Sequence, residues 1–145
     1  MAITTNAICN SFKGQIIQGQ HNFTASTGNK FKLAMYTTAA TLGASTTSFT
    51  TSGQVSSSGY TSGGKALVNS GVKVSGAVAI TNFSNVSFTG VTLSARGALI
   101  YNSSATNKAV CVLDFGGTKT ATAGTFTVQF PAFTTSAAII RIGNA

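Results

Sequence analysis

Beyond Gly19 the apolar residues of this chain recur mainly with a period of two. That spacing puts alternate side chains on opposite faces of an extended strand, and it excludes a helical domain. Phe31, Leu33 and Met35 alternate with Lys30, Lys32 and Ala34, which predicts a strand with one wet face. Short β runs follow at 66–68, 72–75, 77–83 and 86–91, the last two separated near Ser84 and Asn85. Residues 93–101 are the strongest candidate strand, 102–108 read as a turn, and 109–115 as the hairpin partner, ended by Gly116 and Gly117. Phe126, Val128 and Phe130 alternate with Thr125, Thr127 and Gln129 until Pro131 stops the run, and 137–142 is the last strand. Residues 37–63 are rich in Thr, Ser and Gly, with Leu42, Phe49, Val55 and Tyr60 as scattered anchors. They read as one long ordered loop with room for a short strand.

The first twenty residues follow a different rule. Ile8, Phe12 and Ile16 recur at i, i+4 and i+8, joined by Ile17, and this predicts a short amphipathic helix over 5–18. Thr4 and Thr5 are the candidate caps, and Gly19 stands where a helix stops. The expectation is a mainly β chain: a single-domain antiparallel β-sandwich or jelly-roll-like barrel of about eight strands with a short N-terminal helix. The domain spans 1–145, with 1–20 as its helical segment. Phe31, Leu33, Leu99, Val112, Phe126, Val128, Phe130 and Ile140 are the expected core, because each lies on a β-period or a continuous apolar run.

Hydrophobic residues make up 43% of the chain and charged residues only 7%. Average globular chains hold about 45–50% and about 25% respectively. Normal apolar content argues against disorder, and Ser and Thr, more than a quarter of the chain, take the place of charge. Nine Lys or Arg face one acid, giving a net charge of +8. Such a surface favours acidic partners, whether nucleic acid, an anionic glycan or an acidic protein shell. The basic residues are dispersed, however, with no run of five or six. They read as solvated strand faces and guards of sheet edges.

Chemistry is poorly provided for. Proton transfer at neutral pH needs carboxylates or histidine, and the chain has Asp114 and His21 alone. Two-carboxylate glycosidases and carboxylate-rich cation sites are excluded by count. Cys9 and Cys111 match no metal or redox spacing and read as free buried thiols. No G-x-S-x-G elbow accompanies the many serines. Asp114 is expected to pair with Arg96 or Arg141, and His21 to sit hydrogen-bonded in a loop or core. Gly59 to Lys65 fits the first half of a phosphate-binding loop, but Ala66 stands where Ser or Thr would hold magnesium and β-like sequence follows. It reads as a glycine-permitted turn. No catalytic, cofactor-binding or metal residue is therefore assigned, no cofactor is expected, and the chain is not expected to be an enzyme. No secretory leader and no run of about 18 apolar residues is visible, so neither export nor a membrane helix is expected.

Several blocks carry a likeness: Ile8-Cys9-Asn10-Ser11-Phe12-Lys13, Gly19, His21-Asn22-Phe23 and Phe31-Lys32-Leu33-Ala34-Met35-Tyr36. It continues through Ala95-Arg96-Gly97-Ala98-Leu99-Ile100-Tyr101-Asn102, Leu113-Asp114-Phe115-Gly116-Gly117, Gly124-Thr125-Phe126-Thr127-Val128 and Ile139-Ile140-Arg141-Ile142. Over nearly its whole length the chain resembles a family of small virion structural proteins of tailed bacteriophages, similar to capsid decoration or cement proteins. The resemblance implies a non-enzymatic subunit of the phage particle, assembled in the host cytoplasm, that binds and stabilises the head shell. Its implied partners are further copies of itself, as a homo-oligomer with a trimer favoured, and the major capsid protein. Scarce charge fits that expectation, since a chain so built gains by burying polar and apolar surface in repeated contacts. A tail or fibre component that binds host-surface glycan is the alternative, although neither repeats nor an extended attachment segment is evident. A nucleic-acid-binding β-barrel is the second, weakened by phenylalanines that fall on core positions.

Overall fold

The computed structural model describes residues 3–143. The chain folds into two antiparallel sheets and one short helix, as a β-sandwich. The larger sheet runs in the order β1 (Ala7–Ile8), β7 (Lys108–Val128), β6 (Val86–Asn102), β2 (Phe31–Tyr36) and β3 (Lys65–Ala66). The smaller sheet runs β4 (Asn69–Ser75), β5 (Val78–Phe83) and β8 (Ile140–Ile142).

Helix α1, Asn10–Ile17, is shorter than the apolar stripe predicted. Residues 5–9 belong elsewhere: Ala7 and Ile8 pair with Val112 and Cys111, so Ile8 is a strand residue. Cys9, not Thr4 or Thr5, is the N-cap, and its side chain makes no capping bond. The stop is where glycine placed it. Gly19 takes φ +75°, its N–H donates to the Ile16 carbonyl, and the Gln20 N–H donates to that of Gln15. These are the two bonds of a left-handed glycine C-terminus.

The long hairpin β6–β7 merges elements that the sequence divides. Runs 86–91 and 93–101 are one strand, and Gly116–Gly117 does not end β7 but bulges it. Ala95 pairs with Lys119 and Gly97 with Asp114, so residues 115–118 loop out opposite Arg96 alone. Such bulges keep a long ribbon paired while bending and twisting it. The last strand is only Ile140–Ile142, because Ala137 and Ala138 donate to the Thr134 carbonyl in a turn.

The expected wet face of β2 is also corrected. Leu33, Ala34, Met35 and Tyr36 are all fully buried, and Lys32 is half-buried. The 37–63 segment explains this, and it is the ordered loop expected, contributing only isolated bridges rather than a strand. It bonds one edge of the sheet through Val55 N–H to Met35 O, and the other through Ala109 N–H to Thr47 O. A segment joined to both edges crosses a face. Phe49 stacks on Tyr101 with centroids 4.7 Å apart, and Tyr36 Oη donates to Thr50 O at 2.7 Å. The crossed face is thus the one carrying Tyr36 and Tyr101.

The opposite face packs on the smaller sheet and α1. Phe23 stacks on Phe31 at 4.5 Å, Phe31 meets Phe83 at 5.7 Å, and Phe83 meets Phe130 at 5.7 Å. Seven of the eight expected core residues are buried, and Phe130 is half-buried at the rim of this cluster.

Candidate docking site

The side chains with chemical potential occupy separate places. Arg96 Nη1 donates to Asp114 Oδ1 in a partly shielded ion pair across the β6–β7 ribbon. The same oxygen accepts the Gly116 N–H at 2.9 Å, so Asp114 also holds the bulge. The sequence offered Arg96 and Arg141 as partners; cross-strand register selects Arg96.

His21 is buried in another layer. Its Nε2 lies 2.9 Å from Gln15 Oε1 and its Nδ1 lies 3.0 Å from Asn102 Nδ2. Desolvation, aided by the charge of Lys108, pushes its pKa below the ordinary histidine value. The ring packs on Phe12 with centroids 4.8 Å apart. Asn102 stands 81 residues away in sequence, so no local signal reveals the pairing.

Cys9 and Cys111 are free and buried. Burial raises the Cys9 thiol to about 11 and the Cys111 thiol further, with Cys9 adding to the effect. Both remain thiols at neutral pH and make poor nucleophiles. Among the described residues no three His, Cys, Asp or Glu side chains group in a way that could hold a metal ion. The glycine-rich stretch at 59–65 is a turn. Gly63 O accepts from Tyr101 Oη at 2.5 Å, Lys65 Nζ donates to Ser87 O at 2.6 Å, and β3 rather than a helix follows.

Three of the five exposed large apolar side chains among the described residues lie on the smaller sheet. Val72, Val74 and Ile142 are 56%, 74% and 54% exposed. Their registers put them on one face: Val74 pairs with Ala79 and Ala79 with Ile142, while Val72 pairs with Thr81 and Thr81 with Ile140. Strand alternation sends Lys73 and Arg141 to the other face. Lys73 Nζ is drawn over the Phe133 ring, 4.3 Å from its centroid. The valine face therefore carries no charge, and Thr81 on it turns its hydroxyl to the Gly71 carbonyl.

Two cavities flank strand β8, of about 380 and 640 Å³. Ile16, Ile140 and Ile142 line both, so helix α1 and β8 form facing walls of one groove. Ile17, 88% exposed, extends the apolar wall on α1. The predicted amphipathic stripe thus ends on the surface beside this groove. The sequence signalled a helix seeking cover, but not that a sheet edge stood opposite.

No family model, curated protein or solved structure matches this chain. Among the described residues no helix is long and apolar enough to cross a membrane.

Proposed function

We propose that the protein is a non-enzymatic structural subunit of a virus particle, a decoration or cement protein that binds the head shell of a tailed phage and stabilises it. One observation carries the reading: the smaller sheet presents Val72, Val74 and Ile142 on a single uncharged face that continues into the groove between β8 and α1. Clustered apolar surface of this kind marks a site of association rather than a random exposure. The resemblance to small phage virion proteins supplies the particle, and the +8 charge suits an acidic shell. Further copies of the chain are part of the assembly, as a trimer. Repeated weak contacts by several linked copies then add up to firm attachment.

A density map of intact particles tests this. The subunit is expected on the outer surface of the head, and particles assembled without it are expected to lose DNA at lower temperature. Density confined to the tail would replace this reading with a tail or fibre component. Absence from the particle would remove it altogether.

A further inference from the structure

Strand β8 is an edge with a groove beside it, and the groove has two chemically different walls. On one side Ile140, Arg141 and Ile142 pair with Thr81, Ile80 and Ala79 of β5. Toward α1, among the described residues, β8 makes no backbone hydrogen bond. The two cavities meet along β8, sharing Ile16, Ile140 and Ile142. Val72, Ala79, Ile80 and Thr81 line only the first, and Lys13, Val78 and Arg141 line only the second. A strand added beside β8 would send side chains toward both of these spaces.

Charge selects the occupant. The first cavity is walled by Val72, Ala79, Ile80, Ile140 and Ile142, with His21 and Thr81 among its polar lining and no Lys, Arg, Asp or Glu, and it takes apolar side chains. The second carries Lys13 from α1 and Arg141 from β8. Among the described residues Lys13 hydrogen-bonds only Asn10 Oδ1, at 3.4 Å. The one acidic side chain of the protein, Asp114, is held by Arg96 on the larger sheet. A second copy therefore brings no carboxylate side chain to this groove and adds only like charge. We propose that the free edge of β8 accepts, by strand addition, an extended segment of a different protein that carries both apolar and acidic residues. The inference deepens the structural-subunit reading and rests on it for the partner's identity, which under that reading is the shell protein.

The test uses the purified full chain and two synthetic probes: a peptide of alternating Val and Asp, and its counterpart of alternating Val and Lys. Amide chemical shifts report where each binds. The Val-Asp peptide is expected to shift the amides of residues 139–143 and to bind at least tenfold more tightly than the Val-Lys peptide. Arg141→Glu and Lys13→Glu, both exposed positions, are expected to reverse that order with an unchanged far-ultraviolet spectrum. Equal binding of the two peptides, or shifts confined to β4, would overturn the proposal. So would concentration-dependent shifts at β8 in the absence of peptide, because a second copy would then fill the groove. The result is independent of the particle. Peptide binding by a chain that is missing from the head leaves the groove assigned and the shell reading refuted, and the converse separates them equally well.

Discussion

Asn102 Nδ2 lies 3.0 Å from His21 Nδ1, and that contact fixes the imidazole in one neutral tautomer. The amide cannot turn around. Its nitrogen also donates to Asn29 Oδ1 at 2.9 Å, and its oxygen accepts the Ser104 N–H at 3.0 Å. Nδ1 must therefore accept, leaving Nε2–H to donate to Gln15 Oε1. Protonation would set an N–H of His21 against an N–H of Asn102.

A pH dependence follows. The folded pKa of His21 is lowered below 6.5, so below that value the unfolded chain binds the proton more readily. Stability is expected to hold above about pH 6.5, to fall as the pH drops toward the folded pKa, and to level off below it, with a slope of at most about 1.4 kcal/mol per pH unit. Urea unfolding measured between pH 5 and 8 checks this. His21→Gln should remove the slope over that range, since no other side chain of this protein ordinarily titrates there. A flat profile in the unaltered protein would refute the assignment.

Phe31 is the residue on which the two layers meet. It is 2% exposed and contacts Phe23 on the helix side and Phe83 on the smaller sheet. Phe31→Ala is expected to cost about 3–5 kcal/mol, from lost burial and the cavity left between layers. Ile17→Ala, at a side chain 88% exposed, should change stability by no more than about 0.5 kcal/mol. Denaturant midpoints of the two variants separate a core role from a surface one.

These residues also show what the sequence discloses. The period-two spacing of Phe31, Leu33 and Met35 is a local property, and it located β2 and its buried face correctly. What covers the other face is not local: a loop anchored by Phe49 crosses it, so on the face predicted to be wet Lys32 is half-buried and Ala34 is buried. Gly116–Gly117 permits either a turn or a bulge, and the choice belongs to β6, which continues the pairing on both sides of Arg96. The candidate partners of Asp114 were countable because acids and arginines are few. Those of His21 were not, because Asn is common and its partner arrives from the far end of a hairpin. The β8 groove needed two elements more than a hundred residues apart, α1 and β8, to be placed side by side.

Gly64 tests the reading of the glycine-rich stretch as a structural turn. Its φ is +81°, and a Cβ there would sit 1.9 Å from the Leu33 carbonyl oxygen, a backbone atom of the buried strand β2. Gly64→Ala is expected to cost more than about 2 kcal/mol, from the strained backbone and the displaced strand. Gly76 also has positive φ, +59°, but nothing lies within 4 Å of its Cβ position. Gly76→Asn should be tolerated, since asparagine accepts the left-handed region. Thermal unfolding of both variants, side by side, distinguishes close packing from conformation alone.

The outer edge of β4 carries the last prediction, the oligomer. Val68, Val72 and Val74 are 67%, 56% and 74% exposed along the strand and its approach. An unguarded edge with apolar side chains invites another strand or face, and proteins that remain monomeric place charge there. Lys73 is the one charge on β4, and it is held over Phe133 on the side away from Val72 and Val74. Pairing this edge with the edge of a copy of the chain therefore sets no lysine in an apolar contact and leaves the β8 edge open. At β8, by contrast, Arg141 and Lys13 oppose self-association, so the two edges of the smaller sheet divide the work. Sedimentation velocity is expected to show a trimer at micromolar concentration. The double variant Val72→Lys, Val74→Lys is expected to sediment as a folded monomer, because charge repulsion and desolvation oppose closure of the ring. Both positions are exposed, so its circular dichroism spectrum should match that of the unaltered chain. An unaltered chain that sediments as a monomer would remove the trimer, and a double variant that stays trimeric would move the interface away from β4.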